Sequence, residues 1–494
     1  MILTAALLVP LLGALVLAGA GSWRGGTVRA FATAVAVVPL ILLVWAWVLF
    51  DPAGAQFQLV VEVPWVPSLG MAFLLGVDGI ALSVAVMSAL LFAASVVYPI
   101  DTKGRAAQYY GWLLFLEAVS LGVFLTLDLL LFYVFFDLSL VGMYFLIARW
   151  GHGTPQYSAL KFFLYTLTGS LALLLAFLGL YLSHDPHTFD MRVLMEAQPL
   201  AGSAQAAGLV LLGLLVGFGI KTPLVPFHTW LPQAHVDAPG PGSAILAGVL
   251  LKMGTYGLIR IPYSMMTDTF AHYALWIAVV AVVSILYGAL VALGQRDLKR
   301  RIAYTSINHM GYTVLGIAAA GALLGGDEAA RTLALTGATV EMVAHGLITG
   351  SLFLIAGSFW ARGEEYDLDR YGGLARRAPL LTGLTAVAAF ASLGLPGLAG
   401  FVAELQIFAG TFAVWPWLAA IGLLGILITA ALFLQMLQKL FFGDLPARWA
   451  SFPDLRPIEW GVLGALLAAV VVIGVYPRFL LTLIEASAVL TGVR

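Results

Sequence analysis

The sequence predicts an all-α polytopic membrane protein with about 14 transmembrane helices. Of its 494 residues, 62% are hydrophobic and only 10% are charged, whereas soluble domains have about 45–50% apolar and about 25% charged residues. Stretches of roughly 20 mostly apolar residues, the length that a helix needs to cross a bilayer, recur along the whole chain. Two lysines, Lys221 and Lys252, lie inside such stretches. We therefore treat residues 1–494 as a single integral membrane domain whose buried charges have a function.

The predicted spans follow one another along the whole chain. They lie near residues 2–20, 28–50, 76–99, 109–126, 129–149, 159–183, 206–230, 241–263, 272–293, 301–324, 330–360, 379–412, 416–441 and 459–483. The stretch 379–412 counts as one span that proline and glycine interrupt. The first stretch has no basic residues before it and positive charges after it, so we expect a retained first helix and not a cleaved signal peptide.

The positions of lysine and arginine predict how the chain is oriented. With the N-terminus outside, 17 of the 24 lysines and arginines fall in cytoplasmic loops and 5, including Arg494, fall on the opposite side. The other two are the intramembrane lysines. Because cytoplasmic loops are enriched in positive charge, this asymmetry supports the assignment. An even number of spans then places both termini on the outer side.

Several function classes are excluded by composition and by missing motifs. The chain has no cysteine, so it forms no disulfide, no thiolate zinc site and no cysteine-ligated iron–sulfur cluster. It has no GxxxxGK loop, no GxSxG elbow and no HExxH motif. A net charge of −1 argues against binding of nucleic acid. We therefore predict no cofactor and no metal site, and we expect any redox chemistry to lie in a partner.

The first interruption of an apolar segment adjoins Lys221, in GFGIKTPLVPF (217–227). Pro223 has no N–H, so the carbonyl of Gly219 is expected to lose its helical partner. Pro226 has the same effect on the carbonyl of Thr222. A charged group near the middle of a bilayer costs at least a few kcal/mol and usually faces a bundle interior or a wet cavity. The segment therefore points to movement of ions or protons.

A second interruption adjoins Glu404, in SLGLPGLAGFVAELQIF (392–408), where Pro396 stands opposite the carbonyl of Ser392. Bare carbonyls at membrane depth are tolerated only against protein or water. We therefore predict a hydrated cavity beside Lys221 and another beside Glu404. In transporters built from inverted repeats, a pair of broken helices marks the functional site.

Further ionisable residues lie at membrane depth in other predicted spans. Asp137, His309 and His345 are primary candidates for proton transfer, and Glu117 and Glu341 are secondary ones. Glu341 and His345 are four residues apart, so they share one face of a helix. Lysine and histidine suit proton transfer because their protonation responds to burial and to a nearby carboxylate. So many buried charges favour a relay over independent packing roles.

Four other ionisable residues lie near predicted span ends. These are Asp78, Asp128, His228 and His235. Interfacial or capping roles are favoured for each of them over proton transfer.

The chain resembles the antiporter-like membrane subunits of respiratory complex I, and most closely its M (ND4-type) subunit, within the superfamily that includes Mrp-type antiporters. The segments that carry the resemblance are FYVFFDLSLVGMYFLIARWG, IKTPLVPFHTWLPQAHVDAPGPGSAILAGVLLKMGTYGLIR, DLKRRIAYTSINHMGY, VEMVAHGLITGSLFLIAG and GLPGLAGFVAELQIF. The resemblance implies fourteen helices with two inverted five-helix repeats, each containing a discontinuous helix. We expect these repeats at 109–263 and 272–441.

By this resemblance, Lys221 would be the lysine of the first broken helix and Asp137 its carboxylate partner. Lys252 would be the bridging lysine. The resemblance also places His309 and His345 on a central polar axis. At the second broken helix stands Glu404.

The chain departs from the family pattern at three places. Asp137 stands where the family usually has glutamate and is one methylene shorter, so direct pairing with Lys221 needs water or closer packing. The dipeptide VG at 141–142 replaces a frequent proline pair such as IP. Glu341 occupies what is commonly a glutamine position.

The buried charges and the family resemblance leave three hypotheses for the function. The first is a non-redox, proton-translocating subunit of a complex I-like NADH:quinone oxidoreductase in a bacterial inner membrane. Its partners would be neighbouring L- and N-type subunits, lipids and, indirectly, the peripheral redox arm. The second is a subunit of an Mrp-type antiporter or of a membrane hydrogenase-type proton or sodium pump; Glu404 favours the first, because related subunits usually carry lysine there. The third is a passive scaffold, for which the buried charges would be unnecessary.

Overall fold

The computed structural model describes residues 1–492 and is built mainly of helices. The helices are α1 (Ile2–Gly19), α2 (Gly25–Leu49), α3 (Gly79–Val97), α4 (Ala106–Leu125), α5 (Leu129–Trp150), α6 (Pro155–Leu182), α7 (Met191–Ala197), α8 (Ala204–Lys221), α9 (Leu231–Asp237), α10 (Gly240–Ile245), α11 (Leu251–Leu258), α12 (Thr267–Leu293), α13 (Leu298–Ala322), α14 (Glu328–Gly363), α15 (Pro379–Ser392), α16 (Ala399–Val414), α17 (Pro416–Phe441), α18 (Pro457–Val475) and α19 (Arg478–Leu490). Residue Arg494, which entered the predicted charge asymmetry, lies outside the described range.

Twelve helical segments in the described part of the chain are long and apolar enough to span a membrane. One of them, Gly240–Tyr263, combines α10 and α11 with two π-helical turns. Two predicted spans are not among the twelve. Helix α13 begins with the charged run Lys299 to Arg301, and the predicted span 379–412 is divided into α15 and α16. The polytopic helical class is confirmed, while the total of 14 spans stays a prediction.

Two predicted spans end earlier than expected. The segment predicted at 206–230 is helical only to Lys221, because the prolines that follow cannot continue the hydrogen-bond ladder. The last predicted span, 459–483, is two helices, with α18 ending at Val475 and α19 beginning at Arg478. Pro477 restricts Tyr476 to a non-helical conformation and divides the helices at this point.

A two-stranded antiparallel sheet, which the sequence analysis did not predict, lies between α2 and α3. Strand β1 (Gln58–Val66) pairs with β2 (Met71–Val77), and Gly70, at φ 62°, supplies the left-handed residue of the connection. The Leu127 amide donates to the Leu74 carbonyl at 3.0 Å, so β2 is fixed to the loop between α4 and α5. The sequence pattern does not distinguish this short hairpin, because the whole chain is apolar.

Two of the acids at predicted span ends are helix caps, as expected. Asp78 Oδ1 accepts the Ala81 amide at 2.8 Å at the start of α3. Asp128 Oδ1 accepts the Leu131 amide at 2.8 Å at the start of α5, and its other oxygen accepts the Ala72 amide of β2 at 3.0 Å. Burial in this junction raises the pKa of Asp128 to about 6.

The two most enclosed of the twelve spans carry Lys252 and the pair Glu341 and His345. In the most apolar 18-residue stretch of each helix, 100% of the residues are buried in Gly240–Tyr263 and 94% in α14, whereas only 28% are buried in α2. Helix α11 lies between two π-helical turns, Leu246–Leu250 and Ile259–Tyr263. Such turns widen the backbone and release carbonyl groups from the regular ladder. The interior of the bundle thus offers backbone acceptors beside Lys252.

Candidate functional site

Lys221 is the last residue of α8 and is almost fully buried. Its Nζ donates to Ser139 Oγ of α5 at 3.0 Å. It also lies 4.7 Å from the ring centre of Phe136, within the range of a cation–π contact. Both direct contacts therefore come from the same helix.

Asp137, the expected carboxylate partner of Lys221, lies on α5 between these two residues in sequence. Within the described residues, the ion pairs at 4.0 Å or less do not include Asp137 with Lys221. The aspartate is half-buried, its Oδ1 has no hydrogen-bond partner among residues 1–492, and it interacts with the Tyr133 hydroxyl one turn earlier on α5. The shorter acid thus acts on Lys221 through space in this structure.

The first break, between α8 and α9, is tied together by hydrogen bonds that partly overturn the expectation of bare carbonyls. The Gly219 carbonyl is not unpaired, because it accepts the Leu224 amide at 2.9 Å. Trp230 Nε1 donates to the Ile220 carbonyl at 3.0 Å. The break therefore replaces lost ladder bonds with a longer-range backbone bond and an indole bond. The predicted cavity beside Lys221 stays a prediction.

Lys252 lies on α11, which packs closely against the end of α8. A Cβ at Gly254 would lie 2.3 Å from Thr222 Oγ1, so only glycine permits this approach of the helices. Lys252 Nζ donates to the Ala247 carbonyl at 2.7 Å, a group of the first π-helical turn. The same Nζ is 2.5 Å from His345 Nδ1. A direct contact thus links Lys252 to α14.

His309, Glu341 and His345 form a cluster between α13 and α14. His309 Nδ1 is 3.0 Å from Glu341 Oε1, and the His309 and His345 ring centres are 5.3 Å apart. Glu341 and His345 therefore both face His309, as their spacing of four predicts. His309 Nε2 is 3.1 Å from Ser392 Oγ, at the end of α15. A row of buried groups thus reaches the second break. Lys252 contacts His345, the His345 ring lies beside the His309 ring, and His309 contacts Ser392.

Glu404 lies on α16, just beyond that second break, and is buried. Gly394, at φ +76°, turns the chain between α15 and α16. A Cβ at Gly394 would lie 2.1 Å from Glu404 Oε2, so the carboxylate packs against the turn itself. The acid thus occupies the break that His309 reaches through Ser392.

Glu117 lies apart from this row, on α4. It is fully buried, and both of its carboxylate oxygens have no hydrogen-bond partner among the described residues. Ser120 and Phe124 lie on the same face of α4 by helical spacing, and the Phe124 carbonyl accepts the Tyr256 hydroxyl of α11 at 3.1 Å. The role of Glu117 as a secondary candidate for proton transfer stays a prediction.

The sequence analysis missed two hydroxyls and one ion pair. Ser139 and Ser392 gave no signal, since an isolated serine in an apolar span is common. The other omission is a fully buried pair in which Arg260 Nη2 lies 2.7 Å from Asp78 Oδ2, without an aligned N–H bond. Arg260 is one of the five lysines and arginines that the predicted charge asymmetry counts on the outer side, and it lies within the second π-helical turn.

His235 is neither exposed nor a cap, contrary to our expectation. The residue is fully buried, and its ring stacks on Phe353 with centroids 4.4 Å apart. Neither ring nitrogen has a partner among residues 1–492. His228 is also buried and packs edge-on against Tyr287.

Comparison with known sequences identifies relatives over nearly the whole chain. Residues 126–429 match the model of the family described as NADH:quinone oxidoreductase/Mrp antiporter, TM. The NAD(P)H-quinone oxidoreductase chain 4 1 of a Picosynechococcus species is 37% identical and covers 99% of this chain and 91% of its own length. The NADH-quinone oxidoreductase subunit M of Rickettsia prowazekii is 35% identical and covers 91% of this chain and 90% of its own.

Solved structures show the same fold. A chain of the respiratory complex I from Thermus thermophilus with bound NADH superposes with a TM-score of 0.87 at 31% identity, over 100% of both chains. A chain of the Mrp complex from a Dietzia species superposes with a TM-score of 0.85 at 22% identity, over 99% of this chain and 97% of that one. At 22% identity, the similarity to the Mrp chain concerns the fold alone.

Proposed function

We propose a function from a family assignment: the chain belongs to the NADH:quinone oxidoreductase/Mrp antiporter transmembrane family. Its relatives named as chain 4 and subunit M belong to quinone oxidoreductases. The chain is then the proton-translocating membrane-arm subunit of a complex I-like NADH:quinone oxidoreductase, without a redox site of its own. In this role it couples quinone reduction, carried out by partner subunits, to proton movement.

The observation that carries this proposal is the buried row from Lys252 through His345 and His309 to the break that holds Glu404. Its links are the 2.5 Å contact of Lys252 with His345, the 5.3 Å separation of the two histidine rings and the 3.0 Å contact of His309 with Glu341. Such a row of buried ionisable groups is expensive in a membrane and typical of proton relays. A passive scaffold has no use for it.

The proposed mechanism is electrostatic. While Asp137 lies close, its negative charge stabilises the protonated form of Lys221. When the carboxylate moves away or becomes protonated, Lys221 releases its proton toward Lys252. The proton then passes along His345 and His309 and leaves at Glu404.

A coupled cation/proton antiporter subunit is the second candidate, since the Mrp chain shares the fold. Glu404 favours the oxidoreductase, because an acid and not a lysine occupies the second break. The greater sequence similarity to the quinone oxidoreductase subunits points the same way.

The assembly and placement follow from the same assignment. The subunit would contact L- and N-type neighbours and lipids in a bacterial inner membrane, with the repeats at 109–263 and 272–441. Both termini would lie on the outer side, as the lysine and arginine asymmetry predicts.

The test uses the whole complex purified with this chain and reconstituted into vesicles. Electron donor and quinone should acidify the lumen, measured with a pH-sensitive dye, and the initial rate should be the same with and without Na⁺. An uncoupler, as control, should abolish the signal while quinone reduction continues. Exchange of Na⁺ for H⁺ without a redox substrate would instead identify the antiporter.

A further inference from the structure

The direct contacts of Lys221 come from neighbours of Asp137 and not from Asp137 itself. Ser139 Oγ is 3.0 Å from Nζ, and the ring centre of Phe136 is 4.7 Å away. Successive residues on a helix are rotated by about 100°, so Asp137 and Ser139 lie on different faces of α5, and Asp137 acts on Lys221 through its charge and not through contact. Lys221 is therefore held by a hydroxyl and a ring, with the carboxylate outside contact.

The hydroxyl of Ser139 has a fixed role in this contact. Its Oγ donates to the Phe136 carbonyl at 2.6 Å, and a hydroxyl has only one proton to donate. Toward Lys221 it therefore presents lone pairs and acts as an acceptor. Hydrogen bonds from an ammonium group are roughly twice as strong as neutral ones, so this arrangement favours the protonated lysine.

No other acceptor among residues 1–492 forms a hydrogen bond with Lys221 Nζ. Both residues are buried, with Ser139 at 0% and Lys221 at 1% exposure. Loss of the Ser139 oxygen would leave a buried ammonium with only a ring and a carboxylate that it does not contact. A buried charged donor without a partner is strongly disfavoured.

We propose that Ser139 is the positioning residue that directly holds the protonated form of Lys221, and thereby compensates for the short reach of Asp137. The proposal rests on the proposed proton-translocating function of the same site. It assigns the contact that a longer carboxylate would make to a serine two residues further along α5. Asp137 then supplies charge without contact and is free to move.

The experiment compares two isosteric substitutions in the reconstituted complex. Ser139→Thr keeps the hydroxyl, whereas Ser139→Val has the same shape without it, so the added methyl group affects both equally. We expect Ser139→Thr to pump within about twofold of the natural protein and Ser139→Val to pump about tenfold more slowly. Equal pumping by the two variants would overturn the proposal.

Rescue separates positioning from packing. In the Ser139→Val background, Asp137→Glu should restore pumping to within about threefold of the natural rate, because the longer acid reaches the lysine directly. A packing defect at position 139 would not respond to this change, so an unrescued double variant would also overturn the proposal. If the added methyl group prevents assembly of both β-branched variants, Ser139→Ala replaces them, with Ser139→Ala/Asp137→Glu as its rescue.

A parallel Lys221→Met complex distinguishes this inference from the proposed function. If Lys221→Met abolishes pumping while Ser139→Thr and Ser139→Val pump equally, only the serine assignment fails. If Lys221→Met pumps normally in an assembled complex, the proposed function of the site fails, and the serine assignment with it.

Discussion

Both broken helices lose backbone hydrogen bonds at a proline, but the ionisable residue beside the break is a lysine at the first and an acid at the second. At the first break the helix stops on a lysine, Lys221, whose direct neighbours are a hydroxyl and an aromatic ring. At the second break the acid Glu404 packs against the turn at Gly394. Nearby, Glu341 and His309 contact each other. The first break has a single lysine, whereas the acids Glu341 and Glu404 lie near the second.

In the proposed mechanism, this difference sets the direction in which the proton moves. A lysine beside a carboxylate that it does not contact suits loading and release of a proton in response to charge. A cluster in which Glu341 and Glu404 can both hold a proton suits acceptance and exit. Lys252, which contacts His345, lies in the most buried of the twelve spans, between the two breaks along the chain.

The largest effect is expected at the first break. Lys221→Met should leave the complex assembled but slow proton pumping by at least about a hundredfold, because methionine fills similar space and carries no proton. The rate of dye quenching per electron transferred measures this. Pumping at the natural rate in an assembled complex would contradict the comparison, and Lys221→Arg is no neutral control, since arginine does not release its proton at accessible pH.

A smaller loss is expected at the second break. Glu404→Gln should slow pumping by roughly thirtyfold, less than Lys221→Met, because Glu341 remains in the same cluster as a second acid. Glu404→Lys should retain more activity than Glu404→Gln, since lysine can still carry a proton. If Glu404→Gln pumped normally, Glu404 would be outside the path and the two breaks would not be functional counterparts.

The carboxylate at the first break should matter less than the lysine. Asp137→Asn removes a charge that acts without direct contact, so we expect pumping to fall by about tenfold, the effect of one pKa unit. Asp137→Glu should pump at or above the natural rate, because it can contact Lys221. Aspartate and glutamate carry the same charge and differ only in reach. Normal pumping by the Asn variant would make Glu117 the next acid to test.

The sequence predicted the class of fold and the position of both breaks, because prolines and buried charges act locally. Pro223 and Pro396 lack an N–H wherever they stand, and Lys221 is costly in lipid whatever its neighbours. What the sequence did not predict depends on three-dimensional packing. The hairpin from Gln58 to Val77 was hidden by uniform hydrophobicity, and the π-helical turns beside Lys252 have no spacing signature.

The site was likewise only partly predictable. The spacing of Glu341 and His345 placed both on one face, and the structure shows both facing His309. The hydroxyls of Ser139 and Ser392 were invisible, since a serine in an apolar helix more often bonds its own backbone. Ser139 does so through its proton, and only the fold reveals that its lone pairs are turned toward Lys221.

The smallest effect is expected for Ser392, the counterpart of Ser139 at the second break. Its Oγ lies 3.1 Å from His309 Nε2, while Glu341 holds the other ring nitrogen at 3.0 Å. Ser392→Ala removes one of two bonds to a ring that stays oriented by the other, so pumping should fall by about threefold, within the range for a single neutral hydrogen bond. Ser392→Thr should pump at the natural rate if the hydroxyl is what matters. Measuring both beside Ser139→Val tests the comparison directly, because Ser139 is the sole acceptor for Lys221 among residues 1–492, whereas Ser392 shares His309 with an acid. A loss at Ser392→Ala as large as at Ser139→Val would show that the second break depends on a single contact as strongly as the first.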